Sequence, residues 1–149
     1  MSDHILKSHN KTLLLYHLVF PLKYRRKAIS EKVGETLKKI CLDISARYEV
    51  EFIEIGYETD HVHFLVQSVP SYSVTKMVTM LKSITGKELF KRHPEIKKML
   101  WGGNFWTSGY YANTVGQYSN EEAIRVYVKN QGMEKEYKEI FRAQLNLFG

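Results

Sequence analysis

Two histidines near the middle of the chain have the type and spacing of a metal site. His61 and His63 lie in residues 60–66 (DHVHFLV), where apolar side chains alternate with the histidines. This alternation predicts a β-strand, on which side chains two residues apart point to the same face. Neutral imidazole is a common ligand of divalent metal ions. The alternative is that the two histidines lie on a half-exposed strand and bind nothing.

A tyrosine and a glutamine near the C-terminus can complete such a site. Tyr127 and Gln131 belong to residues 121–131 (EEAIRVYVKNQ), a predicted helix that ends before Gly132, a residue suited to a left-handed cap. Residues four apart lie on one face of a helix. If this helix lies across the sheet, His61, His63 and Gln131 can supply three metal ligands, and Tyr127 a nucleophile beside the metal.

These groups suit the cleavage of a phosphodiester. The phosphodiester is negatively charged and repels a nucleophile, so a metal ion is needed to polarise it and to neutralise developing charge. A phenol has a pKa of about 10, so attack as phenolate needs a base or a neighbouring cation. The product is a phosphotyrosine ester, which keeps the energy of the broken bond for rejoining. No nucleotide cofactor is then required, and no glycine pattern here resembles a P-loop.

Basic residues cluster in two segments that suit contacts with phosphates. One is the loop at residues 23–27 (KYRRK), and the other is a predicted helix over residues 73–92 with several lysines. A plain solvated surface explains each cluster equally well. If the chain binds DNA, the expected contacts are Lys23, Tyr24, Arg25, Arg26, Lys82, Lys87 and Lys91.

Composition limits the class of protein. The 149 residues fit one domain, 1–149, and the 44% of apolar residues indicates a folded chain. A net charge of +6 is compatible with a polyanionic partner without requiring one. The single cysteine, Cys41, excludes an intrachain disulfide and favours a reducing, cytoplasmic location. No secretory signal is evident at the N-terminus, and the longest apolar stretch, 13–22, is too short for a membrane span.

The periodicity predicts the elements that carry these residues. Strands are expected over 12–20, 49–58, from His61 onward and over 105–115, with helices over 30–47, 73–92, 121–131 and 133–147. The order β-α-β-β-α-β predicts an α+β fold of the ferredoxin-like or RRM-like class, with an antiparallel sheet, helices on one face and an added C-terminal helix bearing the tyrosine. The open face is expected to carry His61 and His63. His17 can face the same side, or be a buried structural histidine.

Several short motifs occur along the chain in a fixed order. They are Tyr16-His17, Pro21-x-Lys23-Tyr24-Arg25-Arg26, Asp60-His61-Val62-His63-Phe64-Leu65, Leu100-Trp101, Phe105-Trp106, Gly109-Tyr110-Tyr111 and Tyr127-x-x-x-Gln131. With these motifs, from residue 12 to residue 131, the chain resembles the HUH single-tyrosine transposases, which mobilise insertion sequences as single-stranded DNA.

This resemblance implies a function and a set of site residues. It implies Tyr127 as the catalytic nucleophile, His61, His63 and Gln131 as ligands of Mg²⁺ or Mn²⁺, and a homodimer acting on DNA ends that carry hairpins. In that family the tyrosine helix can serve the histidine motif of the partner subunit. Two alternatives remain at this point: a non-catalytic nucleic-acid-binding module of RRM-like fold, and a domesticated nickase of single-stranded DNA.

Overall fold

The structure is a computed structural model that describes residues 3–100 and 103–115. The predicted helices over 121–131 and 133–147 lie outside the described residues. The strands are β1 Ile5–Leu6, β2 Lys11–Thr12, β3 Leu14–Pro21, β4 Glu51–Tyr57, β5 His61–Ser68 and β6 Tyr111–Val115. The helices are α1 Glu31–Arg47, α2 Val74–Arg92 and α3 Pro94–Met99, and a single 3₁₀ turn spans Lys23–Arg25.

Four strands form an antiparallel sheet in the order β4-β5-β3-β6. The first and third strands of the β-α-β-β-α-β series, β3 and β5, are therefore central, as the ferredoxin-like topology requires. Their register pairs Pro21 with His61, Val19 with His63 and His17 with Leu65. Directly opposed residues share a face, so this register puts His17, His61 and His63 on the same side of the sheet. The predicted fold class is confirmed.

The main core lies between the other side of the sheet and the helices. Val62, Phe64 and Val66 of β5 are buried there against apolar residues of α1 and α2, as predicted. The hydroxyl of Ser30 accepts a hydrogen bond from the amide of Val33 at 3.2 Å, so Ser30 is the N-cap of α1. Among the described helices, none combines the length and the apolar character needed to cross a membrane.

The face that carries the histidines lies away from the helices, as predicted, but it is buried at the histidines, while Asn113 on the same face is exposed. The side chains of His61 and His63 are only 2% and 0% exposed. A second apolar cluster lies on this face, in which Leu15, Leu65 and Val115 pack together with Leu13 and Ile53. The histidine rings also pack against one another. The sheet therefore buries apolar side chains on both of its faces.

The segment between α2 and β6 differs from the prediction in two ways. Pro94 begins the short helix α3, which is not among the predicted elements; proline is tolerated there because the first helical position needs no amide hydrogen. The last strand begins at Tyr111 and not at residue 105. Before it, Trp106 forms an isolated bridge with Leu22, and the amide of Thr107 donates to the carbonyl of Pro21 at 3.0 Å. These bonds tie residues 105–107 to the chain that follows β3.

Candidate active site

His61 and His63 lie side by side at the start of β5. Their ring centroids are 4.8 Å apart, and the ring planes meet at 78°. Both side chains are buried, and both point away from α1 and α2 because they alternate with Val62 and Phe64 along the strand. The structure therefore brings together the two histidines that the spacing predicted to act as a pair.

Asp60 fixes the orientation of the first of these rings. Nδ1 of His61 donates a hydrogen bond to Oδ1 of Asp60 at 2.7 Å. A carboxylate in this position fixes the tautomer of a metal-binding histidine and raises the basicity of its second nitrogen. Asp60 lies in the turn between β4 and β5. With Nδ1 engaged by Asp60, a metal ion would be bound through Nε2.

His17 on β3 is the neighbour of His63. Nε2 of His17 lies 3.4 Å from Nδ1 of His63, and the two rings stack with centroids 5.6 Å apart. The edge contact with Tyr111 of β6 places a further ring beside His17. His17 thus lies on the same face as the histidine pair and is also buried. Both predictions for it, a shared face and burial, therefore hold.

Burial favours the neutral forms of His17 and His63. It lowers the pKa of His17 to about 4. Burial also lowers the pKa of His63, and charges on His61 and His17 lower that pKa further. Neutral imidazole is the form that binds metal ions, so the environment of His63 suits a ligand.

The donor set fits a metal ion in part. Two imidazoles and a supporting carboxylate have the chemistry of a divalent-ion site. Within residues 3–100 and 103–115, however, no cluster of three or more His, Cys, Asp or Glu side chains is arranged to hold a metal. A metal ion at this pair would therefore need a further ligand from another kind of residue or from another part of the chain. Gln131, the predicted third ligand, and Tyr127, the predicted nucleophile, lie outside the described residues.

The basic loop after β3 begins and ends next to the turn that carries Asp60. The amide of Leu22 donates to the carbonyl of Asp60, and the amide of Ile29 donates to the carbonyl of Thr59, each at 2.9 Å. The loop is thus held at both ends to the residues that precede His61. This proximity was not predictable from the sequence, because it depends on the register of β3 against β5.

Within this loop, Tyr24 is held in an exposed position. Its backbone is left-handed, with φ 58°, and its side chain is 65% exposed. The ammonium of Lys23 lies 5.3 Å from the centre of the Tyr24 ring. Arg26 is also exposed, whereas the side chain of Arg25 lies outside what the structure describes. The loop therefore presents an aromatic ring together with positive charge.

The predicted lysines of α2 differ in their surroundings. Lys87 and Lys91 are exposed on the helix. Lys82 is half-buried, and its Nζ donates hydrogen bonds to the carbonyls of Thr107 and Gly109, both at 2.8 Å. Burial lowers the pKa of Lys82 to about 8. The ammonium of Lys82 thus holds the segment that leads into β6, a role that the sequence did not indicate, while a DNA contact by this lysine remains a prediction.

Comparison with known proteins decides the family. The family described as "Transposase IS200 like" matches residues 10–131. The chain belongs to this transposase family. The family resemblance predicted from the motifs is confirmed.

Two curated relatives cover most of this transposase. It is 34% identical over 118 residues to the ISDra2 transposase TnpA of Deinococcus radiodurans, a match that covers 79% of this chain and 84% of the relative. It is 33% identical over 135 residues to the transposase for insertion sequence element IS200 of Salmonella typhimurium, with 88% of this chain and 85% of the relative covered. Each relative is thus matched over most of its length.

Solved structures support the fold. A crystal structure from Deinococcus radiodurans R1, described as a transposase, matches with a TM-score of 0.69 and 29% identity over 85% of this chain and 97% of the other. A REP-associated tyrosine transposase bound to a REP hairpin matches with a TM-score of 0.53 and 9% identity, over 83% of this chain and 70% of the other. At that low identity the second match shows the shared fold alone.

Proposed function

We propose that this transposase cleaves and rejoins single-stranded DNA at the ends of an insertion sequence, through a phosphotyrosine intermediate at Tyr127. The observation that best supports the proposal is the buried pair of imidazoles, one of them bonded to Asp60 at 2.7 Å. Membership of the transposase family supports a DNA-processing enzyme in general. The single-stranded substrate, the tyrosine and the metal are the parts that we propose.

His61 and His63 would hold a divalent ion, Mg²⁺ or Mn²⁺, together with the amide oxygen of Gln131. When bound, such an ion polarises a phosphodiester and neutralises charge that develops during attack. The chain contributes the neutral state of His63, which burial favours, and the orientation of His61, which Asp60 sets. An amide oxygen adds no charge and suits a hard cation such as Mg²⁺.

Tyr127 would act as the nucleophile in a transesterification. Its phenolic oxygen forms a bond to phosphorus, and the bond between phosphorus and the 3′-oxygen breaks. The 3′-oxygen leaves with a proton as a hydroxyl, while the 5′-phosphate stays esterified to the tyrosine. Attack by another 3′-hydroxyl reverses the step and releases the tyrosine. The number of phosphodiester-type bonds is conserved, so no energy-rich cofactor is needed.

The basic loop would bind the DNA strand close to the cleaved bond. It is hydrogen-bonded to Asp60 and Thr59, and it presents the exposed side chains of Tyr24 and Arg26. Basic side chains contact the phosphates, while an exposed ring stacks on unpaired bases. We therefore propose Lys23, Tyr24, Arg25, Arg26, Lys82, Lys87 and Lys91 as the DNA contacts.

We further propose hairpin-bearing DNA ends as the substrate and a homodimer as the active form. One protein of the same fold is bound to a REP hairpin, and its structure supports hairpin binding by the fold. A dimer provides two sites for the two ends of one element. The tyrosine helix can serve either its own histidine pair or that of the partner subunit.

A non-catalytic RNA-binding or DNA-binding module is less well supported. Modules of this fold class stack bases on aromatic residues of an open sheet face. In the described part of the sheet, the corresponding face carries three histidines and the single aromatic Tyr111, and the histidines are buried. A domesticated nickase would use the same chemistry, so the site itself does not separate it from a mobile-element enzyme.

A covalent-adduct assay tests the proposal. The protein is incubated with labelled single-stranded DNA of its element end and Mg²⁺ or Mn²⁺, and adducts are resolved on a denaturing gel. We expect an adduct with the wild type and none with Tyr127→Phe. Tyr137→Phe, which removes another tyrosine of the C-terminal region, is the matched control and should keep the adduct. An adduct that persists in Tyr127→Phe would exclude this tyrosine as the nucleophile.

A further inference from the structure

A groove lies between α2 and residues 103–110, apart from the histidine pair. Its cavity volume is about 490 Å³. Thr79, Ser83 and Lys87 line one wall, four residues apart along α2, and Asn104 lines another. Trp106 also lines the groove and makes an edge contact with Phe20, whose side chain belongs to the core below the helices. The groove therefore opens on the helix side of the sheet, and its volume is within the range of small-molecule sites, about 300–1,000 Å³.

The charge of the groove suits an anion. Lys82 and Lys87 line it, and no carboxylate is among the described residues that line it. A Cβ built on Gly103, at one end of the groove, would lie 3.0 Å from Nζ of Lys23. The basic loop therefore borders the groove, and the charge of Lys23 adds to those of Lys82 and Lys87.

The remaining lining combines aromatic rings with short polar side chains. Phe90 and Tyr110 are half-buried and line the groove, and Phe90 packs edge-on against Phe105 with centroids 5.8 Å apart. Every base has a face that can stack on such rings. Ser83 and Asn104 are exposed and offer donors and acceptors for the edge of a base. An apolar ligand would make no use of these polar and charged groups.

We propose that this groove binds one unpaired nucleobase of the DNA substrate, with its phosphate next to Lys87. The inference deepens the proposed function and rests on its single-stranded substrate. The base would stack against Phe90 or Tyr110, and Ser83 or Asn104 would bind its edge. The adjoining nucleotide would pass Gly103 and reach the basic loop. The groove thus serves to hold the strand at a point away from the cleaved bond, on the other side of the sheet.

Equilibrium binding without metal tests this proposal independently of cleavage. The probes are a fluorescein-labelled hexathymidylate and a hexamer of abasic residues with the same phosphates, measured by anisotropy in buffer containing EDTA. Ser83→Leu fills the groove from an exposed helix position, and Ala46→Leu, at an exposed position of α1 that does not line the groove, is the matched control. We expect Ser83→Leu to weaken hexathymidylate binding about tenfold, the effect of losing one stacked base, and to leave abasic binding within about twofold.

Two further variants separate stacking from charge. Phe90→Leu keeps an apolar side chain but removes the ring, and we expect the same selective loss of hexathymidylate binding. Lys87→Gln should weaken binding of both probes. Lys39→Gln removes an exposed lysine from α1, which does not line the groove, and should have the smaller effect. Circular dichroism and thermal unfolding confirm that each variant is folded.

The outcomes distinguish this inference from the proposed function. Ser83→Leu and Phe90→Leu variants that bind hexathymidylate as the wild type does would overturn the groove as a base site. A wild type that does not bind hexathymidylate at all would overturn the groove as a base site, while the covalent-adduct assay with the element end would still decide the proposed cleavage. Groove-dependent binding without a Tyr127-dependent adduct would support the groove and overturn only the cleavage mechanism.

Discussion

The side chains of Asp60 and His61, adjacent in sequence, are joined by a hydrogen bond of 2.7 Å from Nδ1 of the imidazole to Oδ1 of the carboxylate. Asp60 ends the turn between β4 and β5, and His61 begins β5. The imidazole is buried, so its orientation is set by this bond and by the rings around it. The bond leads to a prediction about metal affinity.

Replacing Asp60 with Asn should weaken binding of Mn²⁺ by about 10–100-fold, because the amide neither carries the charge nor fixes the tautomer of His61. Isothermal titration calorimetry of the wild type and Asp60→Asn measures the change. Asp43→Asn, which removes an exposed carboxylate of α1, is the control and should bind as the wild type does. If Asp60→Asn bound Mn²⁺ as tightly as the wild type does, Asp60 would have no part in supporting the metal site.

Replacing Tyr24 with glycine should raise the stability of the protein and weaken DNA binding. A bulky residue at φ 58° is strained, and glycine adopts this conformation freely. Tyr24→Gly should therefore unfold at a higher temperature, corresponding to about 1 kcal/mol, and lose a ring for stacking. We expect weaker binding of hexathymidylate in anisotropy. Tyr48→Ala, at an exposed tyrosine outside the loop, should leave binding unchanged; a Tyr24→Gly variant with wild-type affinity would exclude Tyr24 as a stacking residue.

Gly34 should resist replacement even though it lies within a helix. A Cβ at Gly34 would lie 2.2 Å from Cζ of Tyr57, so the ring must leave the surface of α1. Gly34→Ala should lower the free energy of unfolding by about 1–2 kcal/mol, since the clash outweighs the helix propensity of Ala. Urea unfolding measures the change.

Gly86 of α2 provides the matched control. A Cβ at Gly86 would meet its nearest atom, Cβ of Phe105, at an ordinary 3.5 Å. Gly86→Ala should therefore be neutral or stabilising by up to about 1 kcal/mol. Destabilisation of both variants by the same amount would show that contact with Tyr57 is not the cause.

Lys82 should give the protein a pH-dependent stability. Burial lowers the pKa of Lys82 from 10.5 to about 8. Between these pH values the unfolded chain keeps a proton that the folded chain has released, so this group makes stability rise with pH. Urea unfolding at several pH values should show the wild type gaining stability relative to Lys82→Met across this window.

A second lysine variant separates this effect from net charge. Lys87→Met removes an exposed lysine from the same helix. If the wild type gained stability with pH equally against Lys87→Met and Lys82→Met, the effect would belong to net charge and not to burial of Lys82. Loss of the carbonyl bonds in Lys82→Met should also increase hydrogen exchange at residues 107–110.

The sequence predicted the parts of the fold that depend on periodicity. Alternation along residues 60–66 places His61 and His63 together, and helical spacing gives α1 and α2 within a residue or two of their ends. The sequence did not predict that β6 begins as late as Tyr111. Residues 105–109 have the apolar and small side chains of the predicted strand, but they are hydrogen-bonded to Pro21 and Lys82 instead. Those bonds form between segments distant in sequence and leave no local pattern.

The candidate site was predictable to a similar extent. A His-x-His spacing identifies the pair, but the tie between Asp60 and His61 depends on the shape of a turn. From the sequence alone, Gly34 only lowers the helix propensity of α1. In the structure, the missing side chain leaves room for the ring of Tyr57. The groove beside α2 was not predictable from the sequence, because its walls come from two separate segments, α2 and residues 103–110.

Backbone hydrogen bonds join both ends of the basic loop to the turn at Thr59 and Asp60. Leu22 and Ile29, at the two ends of the loop, are each hydrogen-bonded to this turn, and His61 follows it by one peptide bond. If a bound strand displaced the loop, these two hydrogen bonds and a single residue would connect that movement to the imidazole of His61. Strand binding at this loop, as proposed, would therefore act directly on the orientation of the ring that is proposed to hold the metal.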